Sequence, residues 1–321
     1  MKFILIGLVL LAGLGYGGAK GYLYYQVRDH VETAVLVTAP YAVLEYSGIS
    51  STLTGELTID DVRIQVNGYR DDIQIGRLGI KTPNFLSLLK LSDLSALSQP
   101  GGDSTPEFLG FIAEEIRVSV TADYFREFYK NNIEVIAPID IGQRGVQCVG
   151  KYGYSPKALQ ALGYEELIMS IVVILRQEEN RFITEMDLDI ADMSGIEIDV
   201  AVAGNAMTGA AMGNAYRPTL HSLQVKVTDH SLNQRIEKYC TELGLTPEQI
   251  VRAQINALQY FGSTMGIEFD EYVIDPFKDY LAGKPTFIAT AKPRAPLDLA
   301  SIAKYKPSDV PALLNLEAVA R

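Results

Sequence analysis

Residues 195–202 read Gly-Ile-Glu-Ile-Asp-Val-Ala-Val. Successive side chains of an extended chain point to opposite sides, so Ile196, Ile198, Val200 and Val202 share one face and Glu197, Asp199 and Ala201 the other. That is the period of a half-buried strand, and the neighbouring sequence repeats it. Residues 181–190 form a second extended segment, and Leu220, Leu223, Val225 and Val227 mark a third. Residues 167–175 (LIMSIVVIL) are apolar apart from Ser170; the run is too short to cross a membrane and reads as a buried strand.

Towards the N-terminus the same alternation returns twice. Leu57 and Ile59 are followed by Val62, Ile64 and Val66, with a one-residue slip at Asp60-Asp61 that signals a bulge or bend. Asn67-Gly68 and the polar residues after it make a turn. Ile73 and Ile75, then Leu78 and Ile80, alternate again, with a second slip at Gly76-Arg77. The pair reads as a hairpin with one apolar face. Residues 112–120 read as a further strand, and residues 98–106 (SQPGGDSTP) as a loop.

Helical signals concentrate elsewhere. Tyr124, Phe125, Phe128 and Tyr129 make a helical stripe. Ser155-Pro156 is a hydroxyl cap followed by proline. Residues 231–234 and 246–249 have capping-box spacing, and the second precedes an apolar side of Ile250, Val251, Ile255, Leu258 and Phe261. Asp275-Pro276 predicts the start of another helix, stopped by Gly283. A last strand is expected over residues 286–291, before a proline-rich tail.

Strands come in runs and helices in runs. The expected fold is therefore α+β: an N-terminal transmembrane helix, then a twisted, mostly antiparallel sheet with helices packed on one face. The organisation reads as a signal-anchor over 1–25, a helix plus β-hairpin over 26–100, a loop over 101–110, a main domain over 111–300 and a tail over 301–321. The membrane segment rests on the apolar run from Phe3 to Ala19, preceded by Lys2 and followed by Lys20, Tyr22, Tyr24 and Tyr25. Gly17-Gly18-Ala19 also fits a cleaved signal, whereas the tyrosines favour an uncleaved anchor. The helix continues in the sequence pattern through residues 27–46, with a bend at Pro40. A short tail ahead of a single apolar run favours export of the main domain.

A net charge of −11 argues against nucleic acid as a partner, and the 48% hydrophobic and 21% charged content is that of a folded protein. Cys148 and Cys240 fit no metal pattern; in an oxidising compartment they either pair or remain two buried thiols. Catalytic chemistry is sparse. Asp229-His230-Ser231 holds the residue types of a triad, yet adjacent residues cannot face one another across a site, so Asp229 and Ser231 read as turn and cap residues. Asp187, Asp189 and Asp192, with Glu197 and Asp199, alternate with apolar residues and read as the solvent side of strands rather than a metal site. No catalytic residue, metal or cofactor is expected.

The N-terminal segment leading into a short helix, residues 51–59 (STLTGELTI) and residues 73–84 together resemble the AsmA-like inner-membrane-anchored proteins of Gram-negative envelopes, and the strand-rich middle and residues 285–297 fit the same pattern. The resemblance implies a long twisted sheet with an apolar concave face, and lipid handling or envelope upkeep. The expected function is thus a non-enzymatic protein, anchored in the inner membrane with its main domain in the periplasm, that binds or shields lipid. The groove candidates are Ile73, Ile75, Ile196, Ile198, Val200, Val202, Leu223 and Val225. An envelope scaffold binding another protein, and an enzyme without a visible motif, are the alternatives.

Overall fold

The segments of period two hydrogen-bond into one antiparallel sheet of twelve strands. The computed structural model describes residues 2–91, 107–131, 155–178, 181–203, 219–264 and 266–321, and over residues 2–16 it describes the backbone. The strands are β1 (Ala42–Glu45), β2 (Gly48–Ser51), β3 (Glu56–Val66), β4 (Asp72–Lys81), β5 (Phe108–Ser119), β6 (Glu166–Glu178), β7 (Arg181–Ile190), β8 (Ser194–Ala203), β9 (Thr219–Asp229), β10 (Thr286–Ala291), β11 (Leu297–Asp298) and β12 (Leu316–Ala320). Chain order and sheet order nearly coincide. From β3 to β10 each strand lies beside its predecessor in sequence; β1 and β2 both line the outer edge of β3, β12 lies on β10, and β11 extends the pairing of β9. Both segments read separately from the sequence, on either side of residues 101–110, thus share one sheet through the β4–β5 ladder.

The helices are α1 (Lys2–Thr38), α2 (Phe85–Leu91), α3 (Asp123–Asn131), α4 (Pro156–Ala161), α5 (Leu232–Glu242), α6 (Pro247–Thr264), α7 (Glu271–Leu281) and α8 (Val310–Leu314), with 3-10 turns at Leu299–Lys304 and Pro307–Asp309. The fold is α+β. Among the described residues no helix is long and apolar enough to cross a membrane. α1 ends two residues before Pro40 rather than bending through it, as the steric restriction on the residue before proline dictates. Ser155 caps α4, its hydroxyl accepting from the Ala158 N–H at 3.1 Å. At α6 the capping box is reciprocal: the Gln249 N–H reaches the Thr246 hydroxyl at 3.4 Å and the Thr246 N–H reaches the Gln249 side chain at 2.9 Å. α7 begins earlier than Asp275-Pro276 suggests. Asp270 caps it by accepting from the Tyr272 N–H at 3.1 Å, and Pro276 lies inside. The carbonyl that proline cannot serve belongs to Tyr272 in the first turn, a residue open to water.

The two slips in the sequence turn out to be parts of one line. Asp61 in β3 (φ +51°) stands opposite Gly76 in β4, and Gly76 opposite Glu115 in β5 (φ +54°). At β6 the register shifts between Ala113 and Ile116, so the line stops there. Each irregular residue reverses the in–out alternation of its strand. Val62, Ile75 and Ile116 therefore return to the face that Ile59, Leu78 and Ala113 occupy on the other side of the line. Gly76 fits because a Cβ there would stand 3.1 Å from the Cβ of Glu115.

Packing against this apolar face concentrates at its two ends. At the N-terminal end Leu23 and Val27 of α1 pack with Leu57, Phe85 and Leu88, joined by Ala19, Val31 and Ile49. The spacing 19, 23, 27, 31 is one stripe of a helix. At the C-terminal end Val273 and Tyr280 of α7 pack on Phe287, while Val310 and Leu314 of α8 pack on Leu220 and Ala291. A further cluster, with Val120, Leu159, Tyr164, Met193, Ile236, Cys240 and Ile250, closes the end of the sheet nearest the β7–β8 turn. Residues 301–321, read from sequence as a tail, carry α8 and the edge strand β12.

Candidate functional site

Cross-strand partners lie on the same face of a sheet, so the registers spell out what that face carries. One row runs Ile59, Leu78, Ala113, Ile171, Leu188, Ile196, Val227, Phe287 and Ala320. The next runs Leu57, Ile80, Phe111, Val173, Met186, Ile198, Val225, Ala289 and Ala318. From β3 to β12 neither row contains a polar side chain.

The ends of these rows are covered by the clusters just described; among the described residues the middle is not. Among the described residues no helix packs broadly on β4, β5, β6, β7 or β8. Leu78 and Phe111 are 39% and 43% exposed, unusual for large apolar groups at the heart of a sheet. Ile171, Val173, Met186, Leu188, Ile196 and Ile198 are half-buried, shielded by their neighbours within the sheet. Residues 167–175, expected to be a buried strand, are thus half-buried. Over β3 to β6 the face forms a groove of about 300 Å³ lined by Leu57, Ile59, Leu78, Ile80, Phe111 and Ile171 together with Gly79, Ile112, Ala113 and Val173. That lies at the lower end of the roughly 300–1,000 Å³ of small-molecule sites.

All eight groove candidates from the sequence fall on this face. Ile196, Ile198 and Val225 stand in its uncovered middle. Val200, Val202 and Leu223 lie instead against the cluster of α8 and Leu220. Ile73 and Ile75 are half-buried on the far side of the irregular line. The residues that line the groove itself were visible as strand alternation at Leu57, Ile59, Leu78 and Ile80. Phe111, Ala113, Ile171 and Val173 carry no such signal, because β5 and β6 have apolar residues on both faces and alternation there is blurred.

The opposite face is mixed and charged. Arg77 lies between Asp60 (3.8 Å) and Glu114 (3.2 Å), and Lys226 bonds Glu197 at 2.6 Å. Asp187 stands directly opposite Glu197; partial burial, then Glu197 and Asp189, hold its carboxyl above the ordinary carboxylate range. Among the described residues no group of three or more His, Cys, Asp or Glu side chains is arranged to hold a metal. The triad types are dispersed by their bonds. The Asp229 carboxylate accepts from the Asn233 N–H at 2.9 Å, His230 Nε2 meets Asp189 at 2.8 Å, and the Ser231 hydroxyl donates to the Asp192 carbonyl. Cys240, wholly buried on α5, is disulfide-bonded; Cys148, the second of the chain's two cysteines, lies outside the described residues.

A family model described as an uncharacterized protein matches residues 183–321, from β7 to the C-terminus. No curated protein matches the chain.

Proposed function

We propose that this chain is a non-enzymatic, membrane-anchored envelope protein whose apolar sheet face binds or shields the acyl part of a lipid. The carrying observation is the pair of unbroken apolar rows, with Leu78 and Phe111 exposed above an all-apolar groove. Exposed surface of that kind is costly in water, and an acyl chain laid on it gains about 0.8 kcal/mol per buried methylene. The anchor in this reading is the Phe3–Ala19 run at the start of α1, and the same helix goes on to pack on the sheet through Leu23 and Val27. The disulfide of Cys240 favours an oxidising compartment, such as the periplasm. In the finer version of the fold, α1 spans the inner membrane and the packed helices all belong to the apolar side of the sheet.

The test compares lipid carried by the full chain with lipid carried by Leu78→Lys and Phe111→Glu. Both residues are exposed enough for the fold to tolerate a charge. Lipid surrounding an anchor is common to all three proteins, so any difference belongs to the groove. Extraction followed by mass spectrometry is expected to show a loss of about one lipid per chain in each variant. Equal lipid in all three would refute the reading.

A further inference from the structure

The turn between β3 and β4 carries the chain's one Asn-Gly pair, Asn67-Gly68. Tyr69 donates its N–H to the Val66 carbonyl at 3.1 Å, so Asn67 and Gly68 are the central residues of a tight turn. Both are exposed, and Gly68 takes a φ of +91°, a conformation that favours glycine. A Cβ built at Gly68 would meet no atom within 4 Å, so the turn is open on that side. Among the described residues the Gly68 N–H donates no hydrogen bond.

Asn67 is also a clasp. Its backbone N–H donates to the Tyr41 carbonyl at 2.8 Å, and its side-chain Nδ2 donates to the Ala39 carbonyl at 3.0 Å. Residues 39–41 connect α1 to β1, so this one residue ties the β3–β4 turn to the joint between helix and sheet. An amide can hold the Ala39 carbonyl because its nitrogen carries donors, whereas an ionised carboxylate has acceptors alone.

We infer that Asn67 is a site of spontaneous deamidation, with water as the co-reactant, and that the reaction opens the clasp. The Gly68 backbone nitrogen gives up its proton and bonds to Asn67 Cγ; the Cγ–Nδ2 bond breaks and ammonia leaves, closing a cyclic imide. Water then cleaves the imide at one of its two carbonyls. Attack at Cγ leaves the ordinary backbone, with aspartate at residue 67. Attack at the backbone carbonyl carbon leaves isoaspartate, with the chain running through the former side chain. On either route one water enters, one ammonia leaves, and nothing is oxidised or reduced. Glycine eases the first step, since its nitrogen must approach Cγ and no side chain stands in the way. By contrast, Asn233 and Asn256 lie within α5 and α6, and Asn84 and Asn315 precede Phe85 and Leu316. The product is ionised at neutral pH. It sets a carboxylate oxygen towards the Ala39 carbonyl where the amide had placed an N–H, and the α1–β1 connection is freed to open.

The test ages the full chain, held folded in amphipol, and follows the amide-to-acid mass change at each asparagine by peptide mass spectrometry. A parallel sample is aged in urea. Conversion is expected at residue 67 of the folded chain, as a mixture of aspartate and isoaspartate, ahead of residues 84, 233, 256 and 315. Hydrogen exchange should then quicken at residues 41–45, both in the aged chain and in Asn67→Asp, while β6 and β7 keep their protection. Conversion in urea alone, or conversion at residue 67 no faster than at the other asparagines, would overturn the modification site. Conversion at residue 67 with unchanged exchange at residues 41–45 would overturn the clasp.

Discussion

Gly55 occupies a place that a side chain cannot share. Its φ is +85°, and a Cβ would stand 2.6 Å from the Asn84 carbonyl carbon and 2.7 Å from the Thr82 carbonyl oxygen. The Gly55 carbonyl accepts from the Thr82 N–H at 2.8 Å and from the Thr82 hydroxyl at 3.1 Å, tying the start of β3 to the end of β4. Gly55→Ala is expected to cost more than about 1 kcal/mol in urea denaturation; a change within about 0.5 kcal/mol would contradict the geometry. Asp187 offers the opposite case. Its carboxylate faces Glu197 across the ladder, and like charges in that position destabilise by roughly 0.2–1 kcal/mol. Asp187→Asn should therefore stabilise by that order at neutral pH and low salt, and the gain should shrink as salt rises. The sign with pH follows from the raised carboxyl. The folded state binds this proton more tightly than the unfolded state, so the destabilisation appears as pH rises from about 4 through the raised value and is absent below both. A variant no more stable than the parent at neutral pH would contradict this. Neither effect is legible in the sequence: glycine at residue 55 and aspartate at residue 187 gain meaning from their partners across the sheet.

At the scale of elements, α1 is held to the sheet by few side chains. Leu23 is 1% exposed and Val27 lies beside it. Leu23→Ala should cost about 2–5 kcal/mol, the range for a leucine truncated in a closed core. Hydrogen exchange should then quicken in α1 and α2 while β6 and β7 stay protected. Uniform exchange across the sheet would mean that α1 is part of a single cooperative unit. The strands were the most legible elements, because Ile196 to Val202 and Leu57 to Ile80 alternate so plainly. Two of three bends in the irregular line were visible as slips at Asp60-Asp61 and Gly76-Arg77. The third, at Glu115, was hidden because Ile112 and Ala113 put apolar side chains on both faces. β12 was missed for another reason: it is short, follows prolines, and takes its strand character from pairing with β10. α7 was placed too late because proline usually marks a first turn, whereas here Asp270 had already started the helix.

For the molecule as a whole, the apolar face organises the rest, and among the described residues its middle carries no broadly packed helix. Local sequence foretold an apolar face but not which part of it stays open, since that depends on where α1, α2, α7 and α8 land. Ile198 and Val200 look alike in sequence, yet Val200 lies against the α8 cluster and Ile198 does not. The most direct measurement places a photoreactive amino acid at Ile171, on the apolar row, or at Val172, on the opposite face, and identifies the adducts formed in living cells by mass spectrometry. Lipid adducts from residue 171 and few or none from residue 172 are the expected result. Equal lipid adducts from both, or none from residue 171, would contradict the account.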